Sequence, residues 1–445
     1  MNGRLSPFVL RQLRILRGWL RGDRPPLSEQ TISQTICLAR LTLIVGLVFL
    51  HYQQFPNSDY WPFDGMDPTR NQLPTFVNSF VLFFFFSAVP LLSMISGWLF
   101  FGFAAQDARF ALRDRIRRRF KTLYLPLVVW NAAFLAVLLV AYSQYPQSPV
   151  LRELRIDLAD AGWSDYLDAV FAVTNYPIGY QFWFIRDLFV TVLVSPAIWW
   201  LLRRVPLLAL MLMGAAFLSG SGLLIFFRPD VVFFFSLGGF LRLRRSPLQI
   251  GTHATWSLMA LYLALVILRT MAPVAVEMEH PRPEWLTMGT RLMRLVGVLA
   301  CWGVLQRFSV TRPGAWLARY GGLSFFLYAA HFPLIAGVKA ALGGWLPART
   351  EGWLLAHYFA SVLLTIGIAL AAALLLVRFA PGAFAFMNGG RRALVDFRPL
   401  PAVSGVNAMV TPAVSPDSAD RVEALDSGPY SRVQTSRTPG SRGSQ

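Results

Sequence analysis

Charge is scarce in this chain: Asp, Glu, Lys and Arg make up 14% of its 445 residues, against 55% hydrophobic ones. That balance excludes an ordinary water-soluble enzyme of this length. Acidic residues are the scarcer sign, 23 against 41 Lys and Arg. Cysteine is nearly absent, and Cys37 and Cys301 both fall at or inside apolar stretches, which excludes a disulfide framework and a zinc-type spacing. Also missing are a Gly-rich phosphate loop, a Gly-x-Ser-x-Gly elbow, an internal repeat and any inter-segment loop long enough to form a separate catalytic domain. Chemistry therefore has to be built from the hydrophobic segments themselves.

Those segments are abundant. The mean hydropathy is +0.49 and the isoelectric point near 10.8, with the net charge of +18 gathered in short blocks between apolar runs. This is the pattern of positive-inside topology and not of nucleic-acid binding. Spans of roughly 17 to 25 residues predict an all-α, polytopic bundle of about ten transmembrane helices: 35–55, 77–103, 124–144, 182–202, 206–227, 230–242, 254–272, 290–306, 322–342 and 354–377. The basic blocks at Arg4 to Arg21, Arg109 to Lys121, Arg203 and Arg204, Arg242 to Arg245, and Arg307 to Arg319 fall on one side if both termini are cytoplasmic. The intervening loops, with Asp59, Asp64, Asp67, Glu153, Asp157, Asp160, Asp165, Asp168, Glu277 and Glu279, form a more acidic outer side. The long basic lead is not a cleavable signal peptide. Residues 1–34 are expected to be a basic cytoplasmic segment, 35–387 the membrane unit, and 388–445, rich in Pro, Ser, Gly and Thr, a disordered cytoplasmic tail.

Ionisable groups are costly at membrane depth, so those inside the spans are candidates for function. Arg40 and His51 stand in the first span with ten residues between them. Eleven helical steps advance about 1100°, about 20° beyond whole turns, and rise about 16.5 Å. The two side chains share one face, Arg40 toward the inner end and His51 toward the outer. Each alone has a plain explanation, a snorkelling Arg and an interfacial His; together they suggest a site reaching through the membrane.

Arg186 and Asp187 lie at a depth close to that of His51. Being about 100° apart on a helix, they should need separate partners, Asp187 accepting a hydrogen bond from His51 and fixing its tautomer. The plain alternative is an inter-helix ion pair. Ser324, Tyr328 and His331 form a polar stripe, His331 near mid-membrane, that either faces a wet cavity or bonds helices together. Arg269, Arg291, Arg294 and Lys339 sit near the outer boundary, as snorkelling chains or as a seat for an anionic acceptor.

Five ordered stretches resemble the integral-membrane acyltransferase 3 family, which includes O-acetyltransferases of bacterial surface polysaccharides. They are the Arg40 and His51 spacing, MISGWLFF at 94–101, RRRFKTLYLPLVVWN at 117–131, FWFIRDLFVTVLVSP at 182–196 and LSFFLYAAHFPL at 323–334. The departures are the long Arg-rich N-terminus, the long tail and the absence of the extracytoplasmic hydrolase-like domain of some relatives, which leaves direct transfer to the final acceptor or a separate partner enzyme.

The resemblance implies acyl transfer, commonly of acetyl, from cytosolic acyl-CoA to an acceptor beyond the bacterial inner membrane. It implies that His51 carries the chemistry, and that Arg40 with Arg113, Arg115, Arg117, Arg118 and Arg119 holds the phosphorylated donor. Beside it, Asp187 and His331 are candidate catalytic companions, and Arg186, Trp183, Tyr328 and Ser324 candidate contacts to a glycan or lipid-linked saccharide. Membrane lipid and polysaccharide-assembly proteins are the candidate partners; no metal and no nucleic acid are expected. His51 would act as a general base or through an acyl-His51 intermediate. The rival readings are a secondary transporter with a path through His51, Asp187 and His331, against which no matching half-repeats exist, and a non-catalytic scaffold.

Overall fold

The computed structural model describes residues 18, 27–56, 58–103, 107–146, 156, 158, 160–223, 225–278, 282–345, 350–395 and 397. Arg4, Arg11, Arg14, Arg17, Arg21, Glu153, Asp157, Glu279 and the tail from 398 lie outside the described residues. Within them every regular element is a helix, as the apolar runs require: in lipid the backbone has to satisfy its own hydrogen bonds.

The helices are α1 (Glu29–Leu50), α2 (Gln72–Phe84), α3 (Ala88–Phe100), α4 (Ala108–Arg119), α5 (Leu125–Gln144), α6 (Trp163–Phe171), α7 (Trp183–Leu193), α8 (Ser195–Arg204), α9 (Pro206–Ser219), α10 (Pro229–Leu243), α11 (Thr252–Thr270), α12 (Ala272–Ala275), α13 (Glu284–Ser309), α14 (Arg312–Ala318), α15 (Ser324–Trp345), α16 (Glu351–Phe379) and α17 (Pro381–Met387). Each of the ten expected spans contains a helix. Seven helical stretches are long and apolar enough to cross a membrane, and α7 with α8 makes an eighth if that pair is one span. The remaining two, α9 and α10, have 14 and 15 residues, about 21 and 22 Å against a hydrocarbon core of about 30 Å.

Three features go beyond the sequence reading. The fourth span is broken: α7 and α8 meet at 61°, where Pro196 near the start of α8 has no N–H to continue the ladder. The Arg block is itself helical: α4 runs through one π turn at Phe120–Tyr124 into α5, giving a single stretch Ala108–Gln144. The described chain also stays packed on the bundle past Met387. Asn388 is buried and donates to the carbonyls of Gly322 (2.9 Å) and Arg391 (3.0 Å), and the Val395 N–H bonds the Arg319 carbonyl at 2.8 Å.

Around α1 the bundle packs α3, α13, α15 and the turn Arg319–Leu323. The tightest crossing is α3 on α10. A Cβ at Gly97 would lie 1.9 Å from the Phe235 carbonyl oxygen, and one at Gly238 1.9 Å from that of Met94. These glycines let two backbones touch, the close approach that holds helices together where lipid offers no hydrophobic drive.

Candidate active site

His51 caps the C-terminus of α1 and turns its ring back over the last turn. Its Nδ1 lies 2.8 Å from the Leu47 carbonyl and 3.0 Å from Nε2 of His331. His331, on α15, places its own Nδ1 2.7 Å from the Tyr328 carbonyl. A carbonyl oxygen only accepts, so Nδ1 of each ring carries the proton. His51 Nδ1–H is then shared between Leu47 and His331 Nε2, and His51 Nε2 keeps its lone pair. Tyr180 and Phe332 stand edge-on around the ring, with centroids at 6.3 and 5.7 Å.

The two histidines meet, so they share one depth, unlike the separate depths expected for them. Arg40 also shifts. Because α1 begins at Glu29, Arg40 is the twelfth of its 22 residues, mid-helix and half-buried instead of near the inner end.

The wall beside His51 is built from a proline. Pro333 lies inside α15 and has no N–H for the Ala329 carbonyl one turn back. Gln181 Nε2 takes that carbonyl at 2.9 Å, and the Tyr328 hydroxyl bonds the carbonyl of Gln181 itself. Gln181 is thus bolted at both ends, which fixes the turn Tyr180–Phe182 against the histidines. Sequence reasoning passed over Gln181 and Tyr180; the available signal was a proline two residues after a histidine in an apolar helix.

Behind His51, the Tyr52 hydroxyl is 2.8 Å from His357 Nδ1, and Lys339 Nζ donates to the carbonyls of Tyr52 and Gln54, each at 2.7 Å. Lys339 therefore sets its positive charge just past the C-terminal end of α1, where the helix dipole favours a cation. The other outer cations are engaged in a similar way. Arg269 bonds Thr290 and the carbonyls of Phe63 and Asp64, Arg291 the Leu218 carbonyl, and Arg294 the Asp230 carboxylate at 3.2 Å.

Asp187 does not partner His51. Its carboxylate accepts from Arg186 Nη1 (2.9 Å) and from the backbone N–H groups of Phe227 (3.2 Å) and Arg228 (2.8 Å). The long Arg186 side chain spans the separation between adjacent helical positions, so the two residues do pair. Arg186 further donates to the carbonyls of Ala172 (3.1 Å), Val173 (2.8 Å) and Ile225. The pair thus ties loop 172–175 to loop 225–228. Asp168 orders the first loop by accepting from Val173, Thr174 and Asn175. Burial raises the Asp168 carboxyl, but these bonds outweigh it and hold the group below its ordinary range.

A family model for an acyltransferase domain matches residues 35–378. The chain belongs to the acyltransferase 3 family. It is a multi-pass membrane acyltransferase. It is also similar to the succinoglycan biosynthesis protein ExoH of Rhizobium meliloti (strain 1021), 28% identical over 369 residues that cover 82% of this chain and 94% of the relative. No solved structure matches.

For the expected donor contacts the geometry divides the Arg block. Arg115 is buried and donates to the carbonyls of Leu99 (2.8 Å), Phe100 (2.6 Å) and Gly102 (3.2 Å). It closes the C-terminal end of α3, taking carbonyls at and just past its last turn, so most of its guanidinium is committed inside the protein. Arg113 and Arg117 are exposed, and Arg118, also exposed, pairs with Asp114 at 2.9 Å. The expected acceptor contacts are also internal: Trp183 is buried, Ser324 bonds the Gly321 carbonyl at 2.7 Å, and Tyr328 is held by Gln181.

Proposed function

We propose that the protein moves an acetyl group from cytosolic acyl-CoA to a hydroxyl of a glycan on the outer face of a bacterial inner membrane. The observation that carries this reading is the histidine pair, in which the partners of Nδ1 leave His51 Nε2 as the proton-accepting atom beside half-exposed rings. Membership of the family and the relative's name as a succinoglycan biosynthesis protein support a polysaccharide as the acceptor.

In the direct mechanism His51 Nε2 takes the hydroxyl proton while the oxygen bonds the thioester carbon. The carbon–sulfur bond then breaks and the thiolate receives the proton from the imidazolium, leaving ester and free CoA. In the two-step variant Nε2 itself bonds the acyl carbon as the carbon–sulfur bond breaks and CoA leaves as thiolate; the glycan hydroxyl then bonds the acyl carbon, the carbon–Nε2 bond breaks, and the hydroxyl proton ends on the thiolate, leaving ester, free CoA and neutral His51. His331 orients His51 and shares its Nδ1 proton. The exposed Arg113, Arg117 and Arg118 offer guanidinium groups to the donor phosphates. Arg40 stands about 16.5 Å along α1 from His51, on the route the thioester arm would take.

The transporter reading loses its path, since Asp187 is turned away from the histidines. Radiolabelled acetyl-CoA supplied to proteoliposomes with the de-esterified surface polysaccharide of the host tests the proposal. Label is expected on the glycan, and His51→Ala is expected to lower transfer about 10²-fold or more. Full activity in that variant overturns the assignment. Succinyl-CoA as competing donor reads the acyl preference.

A further inference from the structure

The rings around His51 form a continuous ladder. Tyr180 and Phe332 flank the imidazole and lie 6.0 Å from each other. Behind Tyr180 stands Tyr176 at 5.6 Å, then Phe227, stacked on Tyr176 at 4.3 Å and 18°. The Arg186 guanidinium lies 4.1 Å from the Phe227 centroid. Tyr176 follows the loop that Asp168 and Arg186 hold, and Phe227 sits in the loop whose amides Asp187 holds. The four rings are half-buried, in contrast to the buried Trp183, Tyr328 and Ser324.

We infer that the acceptor saccharide is seated on Tyr180 and Phe332, and that Arg186 and Asp187 are positioning residues that set this seat through Tyr176 and Phe227. The inference rests on the transferase reading and names the part of that site which takes the acceptor. A pyranose presents a face of C–H groups, whose partial positive charge suits the negative face of an aromatic ring. Mostly aromatic walls with few polar groups are also the usual lining of a small-molecule pocket. Beside such a seat, a sugar hydroxyl comes to the Nε2 side of His51 while the rings keep bulk water from the thioester.

The ladder explains an otherwise costly feature, a buried ion pair that contacts neither histidine. Breaking such a pair leaves an uncompensated charge, and here it would also release two loops. Arg186 and Asp187 act on the acceptor only through those loops, so their effect belongs to acceptor affinity and not to donor chemistry.

The test uses the full chain in proteoliposomes with labelled acetyl-CoA. Transfer to de-esterified host polysaccharide and acceptor-free hydrolysis of the thioester are read separately. Tyr180→Ala and Phe332→Ala are expected to raise the acceptor KM about tenfold, equivalent to about 1.4 kcal/mol, with the donor KM unchanged and hydrolysis equal or faster. Tyr180→Phe should restore the acceptor KM. Asp187→Asn should reproduce the KM effect; if it fails to fold, Tyr176→Ala, which leaves the ion pair intact, reads the same coupling. An unchanged acceptor KM in Tyr180→Ala and Phe332→Ala overturns the seat while leaving the transferase reading standing. A loss of donor KM together with acceptor KM in Tyr176→Ala overturns the positioning role. A wild-type chain that leaves both donor and glycan untouched overturns the transferase reading itself.

Discussion

At the scale of single residues, the histidine pair makes the sharpest claim. His331 holds His51 through one shared proton, so His331→Leu should lower kcat tenfold to about a hundredfold, the worth of one buried hydrogen bond of about 1–3 kcal/mol, with little change in donor KM. The double variant with His51→Ala should be no slower than His51→Ala alone, because the two rings act as one unit. Additive losses in steady-state kinetics would separate them. Both histidines were legible in the sequence as polar interruptions of apolar spans, but their meeting was not: 280 positions separate them, and helical periodicity assigns a face without naming the neighbour. The same gap misdirected Asp187 toward His51. Nothing in FWFIRDL tells that amides of a loop forty residues later will fill its carboxylate. Arg115 differs from its neighbours for a comparable reason, since which Arg of a run closes a helix end depends on where the preceding helix stops.

Elements were more readable than contacts. Each of the ten spans expected from apolar length and flanking Arg blocks holds a helix, because lipid leaves the backbone few alternatives. The bend at α7 and α8, the π turn within Ala108–Gln144 and the short helix α6 escaped, since each is a local compromise with packing that hydropathy averages away. Pro333 shows how such a compromise is put to use. Pro333→Ala supplies an N–H that competes with Gln181 for the Ala329 carbonyl. Transfer is expected to slow while the melting temperature in detergent holds or rises, because a regular helix is regained. Equal transfer rates in the two proteins would show that Gln181 needs no such vacancy.

For the molecule as a whole, seven helical stretches, or eight with α7 and α8 as one span, are long and apolar enough to cross, so the shared side expected for the two termini turns on α9 and α10. Reporter fusions at residues 27 and 395 are both expected to report the cytoplasm, in line with the Arg blocks; opposite compartments would mean that α9 or α10 fails to cross. Loops 172–175 and 225–228 are not independent of each other. One carboxylate and one guanidinium hold carbonyls from one strand of connecting chain and amides from another. Acceptor preference is therefore inherited as a two-part cassette: 172–176 and 225–228 have to be exchanged together when specificity is grafted from a relative, and either piece moved alone arrives without the counterpart that shapes it.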